Sequence, residues 1–480
     1  MTLIVAAVHG RPPSQVQGAN MIEIRADDVE LAQVDSLIPT FLEATSQPTI
    51  FTVRSVEEGG NFHGDDVHRI ALLKAALMCS RPPKYIDIEY EILTKQPWLL
   101  DELPLKDCGV ILSWHDTRGR PKDLFQRAAA MQDIAGISVV KMAWRARSIR
   151  DNLDAFKLLQ TRQQPMIALC MGPYGLMSRV LAPKFGGFAT FATIEGHQAT
   201  ADGQQTVHDL LTTYNFETID QETKVFGVIG KNVEHSASPP FHNAAFAAAG
   251  ANAVYVPLPI PSGWEHLKAT TLSLLHNESL DFCGASVTIP HKENMLKLVE
   301  EESGEIAASS QDIGAVNTIH TNTTMRATNT DVDAIESLLQ TPKRVLVLGA
   351  GGVARAAVYG AKQLGAKVVI IARRAQQAEA LANEFDCLLG LDDCENVDTI
   401  INCTPVGMLN GPDVDGDPLL NLAPEVVLQS GMTVFDTVYM PEETPLLVRA
   451  KKASCHIISG SEMFRKQAAS QQLFWTKNSA

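Results

Sequence analysis

Residues 343–374 read KRVLVLGAGGVARAAVYGAKQLGAKVVIIARR, and their order decides the fold of the C-terminal part of the chain. An apolar run, Arg344–Leu348, ends on Gly349-Ala350-Gly351-Gly352-Val353-Ala354, and a helical stretch then leads to a second run, Val368–Ile371. Strand, glycine turn, helix and strand together give a glycine pattern its weight. Gly349 permits the tight turn, Gly351 lets the backbone approach a pyrophosphate, and Ala354 allows close helix–strand packing. The helix N-terminus attracts the anion. The stretch predicts a dinucleotide-binding α/β domain. Where an acidic residue would hold a ribose hydroxyl stand Arg373 and Arg374. Adjacent guanidinium groups suit a 2′-phosphate, so NADP(H) is expected over NAD(H).

Upstream the rhythm differs. From Met1 to about Phe216, short apolar runs alternate with polar turns and helical stretches: Leu3–Val8, Met21–Arg25, Thr49–Arg54, Tyr85–Glu89, Val110–His115, Ile137–Met142, Met166–Met171 and Ala189–Glu195. Eight such units fit a (β/α)8 (TIM) barrel, with an open doubly wound sheet as the alternative. Glu23, Arg25, Arg54, Glu89, His115 and Lys141 fall in the last part of their predicted strands, and Arg179 and Thr200–Gln204 follow the seventh and eighth. Barrel sites form at the C-terminal ends of strands, and so many charges would be costly to bury as mere structure.

The 480 residues, 45% hydrophobic and 20% charged, can bury several cores without metals or disulfides. A polar stretch, Glu217–Lys224, and a second division near Thr341 suggest three domains: 1–219, 220–341 and 342–480. A net charge of -15 argues against nucleic-acid or anionic-membrane partners. Eight scattered cysteines without CxxC or HExxH patterns predict no metal site and a reducing, cytoplasmic setting. No apolar run approaches the ~20 residues of a membrane span. The N-terminal MTLIVAAVHGRPP reads as a buried first strand rather than a signal peptide. Asp413–Asp417 imitates a calcium loop, but Pro418 replaces the required glycine and Pro424 the closing glutamate. Glu300–Glu302 reads as a solvated helix face.

Further motifs occupy the C-terminal half: His235-Ser236-Ala237-Ser238-Pro239, Val287-Thr288-Ile289-Pro290-His291-Lys292, Ala315–Thr318, Asn329-Thr330-Asp331 and Ile401–Met408. They supply hydroxyls, amides, one Lys and one Asp from separate loops, a set suited to a polyol carrying a carboxylate. With the glycine turn and the late Gln467, this half resembles shikimate dehydrogenase from about Val225 onward. The resemblance implies Lys292 and Asp331 as the catalytic pair. It implies Ser236, Ser238, Thr288, Asn317, Tyr439 and Gln467 as substrate ligands. Gly349, Ala350, Gly351, Gly352, Val353, Arg373, Arg374, Asn402, Thr404, Thr437 and Gly460 would lie along NADP(H). Ala372, Arg374 and Gln377 depart from the family's usual 2′-phosphate pattern, and Val332 stands where glycine is frequent.

A lysine inside the strand ISVVKMAW is unusual. Desolvation disfavours an ammonium, and a neutral amine can attack a carbonyl. His115 in SWHD adds a proton carrier. With EIRAD, FTVRSVEEGG, IDIE, VVKMA, GLMSR and TADGQ, residues from about Leu3 to Leu211 resemble type I 3-dehydroquinate dehydratase. The resemblance implies a Schiff base on Lys141, His115 as acid–base and Glu58 orienting it. Arg179 would hold the substrate carboxylate, and Glu23, Arg25, Arg54, Thr200 and Gln204 would contact ring hydroxyls or order the site. Thr200 replaces the usual serine, and IVAAV in the first strand lacks a common one.

The two resemblances describe consecutive steps: 3-dehydroquinate to 3-dehydroshikimate, then NADPH-dependent reduction to shikimate. They imply a bifunctional lyase and oxidoreductase of chorismate and aromatic amino acid biosynthesis. Its partners would be small molecules, with no metal. A non-catalytic quinate- or shikimate-binding sensor, or a chain with one active half, is the alternative.

Overall fold

The structure, a computed structural model, describes residues 1–322 and 324–476. They divide into two compact units: Met1–Val228, Asn232–Pro261 and Ala269–Phe282 form one, and Ile229–Lys231, Ser262–Lys268 and Cys283–Ala480 the other.

The first unit contains eight parallel strands, β1 Leu3–His9, β2 Met21–Arg25, β3 Thr49–Thr52, β4 Tyr85–Glu89, β5 Gly109–Asp116, β6 Val139–Arg145, β7 Met166–Met171 and β8 Ala189–Ala192. They are ordered β7-β6-β5-β4-β3-β2-β1-β8. The Phe188 amide donates to the Met166 carbonyl at 2.8 Å, so the sheet curls into a nearly closed barrel. Helices cover the outside, so both strand faces are buried and the runs are apolar throughout.

Alternation along the strands builds the inside in layers. Val5, Met21, Ile50, Ile111, Val139 and Ile167 form its apolar floor. Two residues further along, on the same face, stand Glu23, Thr52, Ser113 and Lys141, and two further again Arg25, Arg54 and His115. Lys141 is therefore the third of seven residues in β6, deeper than the strand-end position expected, because β6 continues to Arg145. β3 stops at Thr52 and β8 at Ala192, so Arg54 and Glu195 lie beyond their strands.

The segment after the barrel is held by Lys184, whose Nζ donates to the Gln221 and Thr223 carbonyls, each at 2.8 Å. β9 Lys224–Gly230 and β10 Ala253–Pro259 follow. In the second unit, β11 Phe282–Val287 pairs antiparallel with β13 Thr318–His320, which pairs antiparallel with β14 Arg326–Thr328. β12 Glu305–Ile306 lies parallel to β14.

A parallel sheet of β15 Arg344–Leu348, β16 Lys367–Ile371, β17 Leu388–Leu389, β18 Thr399–Asn402, β19 Thr433–Asp436 and β20 His456–Ile458 has the order β17-β16-β15-β18-β19-β20. The order reverses beside β15, the topological switch where such sheets bind ligands. Val332 is buried in the apolar cluster behind this sheet, which accounts for a branched residue after Asp331. Asp417 does not form part of an ion loop: it caps the helix Pro418–Leu422 and pairs with Arg449 at 2.6 Å.

Candidate functional site

The barrel's C-terminal mouth opens into a cavity of about 160 Å³ lined by Glu23, Arg25, Arg54, Glu58, His115, Lys141, Arg179, Thr200 and Gln204, with Phe191, Arg145 and Asp202. Strand periodicity and the following loops thus bring every expected dehydratase residue to one space. Lys141 Nζ lies 3.2 Å from Glu23 Oε1, 3.5 Å from Asp87 Oδ2 and 3.9 Å from the centre of the Phe191 ring. Nζ is flanked by carboxylates on one side and an aromatic face on the other.

His115 Nδ1 sits 2.8 Å from Glu58 Oε2. Burial, with the positive charges of Arg54, Lys141 and Arg25, pushes the imidazole well below its ordinary value. Burial pushes the Glu58 carboxyl well above its own, against the pull of Arg54. Both directions run against charge on the pair.

Arg54 is the hub beneath this pair. Its guanidinium donates to Glu58 at 3.1 Å, Glu89 at 3.3 Å, Ser113 Oγ at 2.8 Å and Asp87 at 2.7 Å. Those carboxylates outweigh the desolvation that opposes its charge and hold it strongly protonated. Arg25 is chelated by Asp27 through bonds of 3.2 and 2.6 Å. Asp87, Ser113 and Arg69, which pairs with Glu89, were not singled out in the sequence. The signal for Asp87 was present: in YIDIE it lies two residues before Glu89 on the same inward face.

Arg179 differs from these arginines. It is 3% exposed; among the described residues its Nε has no hydrogen-bond partner and Nη1 reaches the Phe191 carbonyl at 3.5 Å. Burial depresses it to about 10. A desolvated guanidinium without a carboxylate is a ready receptor for an anion. Across the mouth, Gln204 Oε1 accepts from the Thr200 amide at 3.1 Å and hydroxyl at 3.2 Å, closing that loop on itself.

In the second unit, Lys292 opens the helix Lys292–Glu301, and its Nζ donates to Asp331 Oδ2 at 2.5 Å. Asn317 Nδ2 reaches Asp331 Oδ1 at 2.9 Å and Gln467 Oε1 at 3.1 Å. Asn329 caps the helix Thr330–Leu338 and fixes the Asp331 amide at 3.1 Å. Thr288 opens the strand-to-helix turn, its amide donating to the Ile229 carbonyl at 2.8 Å. Tyr439 stacks on Phe464 with ring centres 5.5 Å apart. In the first unit, Ser236 Oγ accepts from the Ser238 amide at 3.2 Å, where the helix Ser238–Ala248 begins.

The glycine turn has the form a dinucleotide needs. Gly349 adopts φ 117°, and a Cβ there would meet the Cys403 carbonyl oxygen at 3.0 Å. A Cβ on Gly351 would meet nothing within 4 Å, so the space over the turn is open. Gly352 begins the helix Gly352–Gln363, while Ala350 and Val353 pack on the core beneath. Arg373 and Arg374 are exposed after β16, beyond the partly buried Ala372. Asn402 Oδ1 binds the Thr404 amide at 2.9 Å and hydroxyl at 2.7 Å, and its carbonyl accepts from Thr437 N at 3.0 Å. Gly460 lies where a Cβ would come 2.2 Å from the Val438 carbonyl oxygen.

Sequence reasoning missed Asp436, buried at the end of β19. It accepts from Asn402 Nδ2 at 2.8 Å, Thr444 Oγ1 at 2.6 Å and Val438 N at 3.0 Å. Burial raises it to about 6 against those bonds.

Two chemistries are laid out on one chain, a lyase suited to imine formation and a dinucleotide-dependent oxidoreductase. Comparisons with known proteins agree. The type I 3-dehydroquinase family matches residues 12–221, and the shikimate dehydrogenase substrate binding domain matches residues 228–319. The chloroplastic bifunctional 3-dehydroquinate dehydratase/shikimate dehydrogenase of Arabidopsis thaliana is 36% identical over 484 residues, covering 95% of this chain and 77% of that protein. The shikimate dehydrogenase (NADP(+)) of Methanocella arvoryzae is 39% identical over 267 residues, 52% of this chain and 93% of that one. Among solved structures, a shikimate dehydrogenase in complex with NADP+ is 37% identical, covers 54% of this chain and 92% of that one, and superposes with a TM-score of 0.47. The chain belongs to the bifunctional 3-dehydroquinate dehydratase/shikimate dehydrogenase family.

No helix among the described residues is long and apolar enough to cross a membrane.

Proposed function

We propose that the barrel converts 3-dehydroquinate to 3-dehydroshikimate through an imine on Lys141, and that residues 220–480 reduce that product to shikimate with NADPH. The observation that carries this reading is the shared cavity of Lys141, the His115–Glu58 pair and the unpaired Arg179. Arg179 receives the substrate carboxylate. The Lys141 amine adds to the C3 ketone, and loss of water gives an iminium that acidifies the C2 hydrogen. Removal of that proton gives an enamine, which expels the C1 hydroxyl once it is protonated. Hydrolysis then restores the amine and the ketone. His115 carries protons in these steps, while Glu23, Arg25, Arg54, Thr200 and Gln204 contact the ring hydroxyls or order the charges around them.

The open turn at Gly349–Val353 and the exposed Arg373 and Arg374 fit a dinucleotide with a 2′-phosphate. Asn402, Thr404, Thr437 and Gly460 complete its groove. NADPH supplies the hydride when bound. Lys292 gives the proton to the oxygen being reduced, and Asp331 holds Lys292 and the neighbouring hydroxyl. Ser236, Ser238, Thr288, Asn317, Tyr439 and Gln467 grip the carboxylate and remaining hydroxyls. The functional division is 1–219, 220–341 and 342–480, the partners are small molecules, and eight free thiols suit a cytoplasmic setting.

A one-pot assay tests the reading. NADPH oxidation that depends on 3-dehydroquinate is expected in the full chain and is lost in Lys141→Ala and in Lys292→Ala. No oxidation, with 3-dehydroshikimate also inert, would overturn it in favour of a binding module.

A further inference from the structure

Arg355 lies in the first turn of the helix Gly352–Gln363, yet its side chain serves another element. Its Nε donates to the Ile313 carbonyl and its Nη2 to Glu384 Oε1, and the guanidinium carbon lies 5.5 Å from the centre of the Phe385 ring. Ile313 ends the helix Ala308–Ile313, where a cation complements the exposed carbonyls. Gly314 follows at φ 68°, and a Cβ there would come 2.6 Å from Arg355 Nη2. A side chain there would strain the backbone and crowd the guanidinium.

The chain leaving Gly314 is Ala315-Val316-Asn317, and each residue of it touches the Lys292–Asp331 machinery. The Ala315 carbonyl accepts from Asn329 Nδ2 at 3.0 Å, Val316 N donates to the Lys292 carbonyl at 3.1 Å, and Asn317 holds Asp331. In the same first turn, three residues before Arg355, the helix touches that machinery again. A Cβ on Gly352 would meet Lys292 Cδ at 3.1 Å, so the lysine stem lies against the last glycine of the turn.

We propose that Arg355 is a positioning residue for hydride transfer, tying the glycine turn to the segment that holds Lys292 and Asp331 and so fixing donor against acceptor. The inference rests on the dehydrogenase reading above. Loss of the tie lets the two halves of the reacting geometry shift without removing a substrate or cofactor ligand, and small misplacements of that kind lower kcat more than they raise KM.

The test compares Arg355→Met and Arg355→Lys with the unaltered full chain. Arg355→Met is expected to lower dehydrogenase kcat about tenfold or more. KM for NADPH and for 3-dehydroshikimate should each move less than about threefold. The kinetic isotope effect with NADPH deuterated at the transferred position should rise, because hydride transfer then limits turnover. Arg355→Lys, which keeps the charge and one donor, should fall between. Dehydratase activity of the same preparations and NADPH binding by fluorescence report that both parts are folded. Unchanged kcat and isotope effect in both variants would overturn the inference, as would a loss confined to KM for NADPH. Should Arg355→Met fail to bind NADPH at all, Arg355→Lys decides by the same readings. An unaltered chain that does not reduce 3-dehydroshikimate refutes the dehydrogenase reading instead, whatever Arg355 does.

Discussion

His115 Nδ1 and Glu58 Oε2 lie 2.8 Å apart, joined across 57 residues of sequence at the mouth of the barrel. The contact engages one ring nitrogen and leaves Nε2 for whatever enters the cavity. Burial holds the imidazole well below its ordinary value and the carboxyl well above its own, so both shifts run against charge on the pair.

Glu58→Ala, which removes the partner of His115 Nδ1, should lower dehydratase kcat by about 10²-fold, the lower end of what a positioned proton carrier contributes. KM should change little, and the dehydrogenase of the same chain should be untouched. Because His115 is held well below its ordinary 6.5, the acidic limb of kcat/KM should appear only below that pH. A limb centred at 6.5 in a steady-state pH series would contradict the burial argument.

Lys141 is predicted to trap its substrate. Borohydride added during turnover of 3-dehydroquinate should inactivate the dehydratase and leave one reduced adduct, located at residue 141 by peptide mass mapping. Lys141→Ala should acquire none. An adduct on another lysine would reassign the nucleophile.

Arg179 exchanges stability for binding. With the folded-state value at about 10, below the ordinary 12.5, folding disfavours its charged form at every pH below about 10. Stability from this group therefore rises only as pH climbs between those values. Arg179→Met should raise unfolding free energy at pH 7 by about 1–3 kcal/mol, as when buried charge gives way to apolar packing. The same change should weaken kcat/KM for 3-dehydroquinate by about 1.5–3 kcal/mol, the worth of hydrogen bonds to a charged group. Thermal melts and steady-state kinetics on one preparation read both signs. A variant that loses stability would show that the guanidinium has a structural partner.

Asp436 gives the second part a pH dependence of defined sign. Its folded value of about 6 exceeds the ordinary 3.8, so the folded state binds the proton more tightly. The stability this group contributes is present below 3.8 and is lost as pH rises through 6. Asp436→Asn can keep Oδ1 for Asn402 and Val438 and donate its amide to Thr444, so it should be neutral or stabilising at pH 8 and remove this slope. Asp436→Ala leaves buried donors unpaired and should cost about 1–3 kcal/mol. Denaturant titrations at pH 5 and pH 8 compare the three. Equal slopes in the unaltered and Asn chains would rule out this assignment.

The strands were legible because their signal is local. Met21–Arg25, Tyr85–Glu89, Met166–Met171 and Arg344–Leu348 begin and end where the apolar runs do. Lys141 and His115 announced themselves as polar groups inside such runs. The ends of β3, β6 and β8 were less legible, since the ladder stops where a neighbouring strand stops offering partners. A single run of residues does not contain that fact.

The sequence by itself determined two α/β architectures, a glycine turn shaped for a dinucleotide, and the residue types able to form an imine, carry a proton and bind an anion. It did so because side-chain alternation and turn chemistry act over a few residues. Tertiary structure alone decided which charges are engaged. Arg54 is saturated by Asp87, Glu89 and Glu58, whereas Arg179 has no carboxylate partner among the described residues. Asn317 joins Asp331 to Gln467 across 150 residues. Ion pairing and desolvation depend on distance in space, and only closure of the barrel and packing of the last helix bring these groups within it.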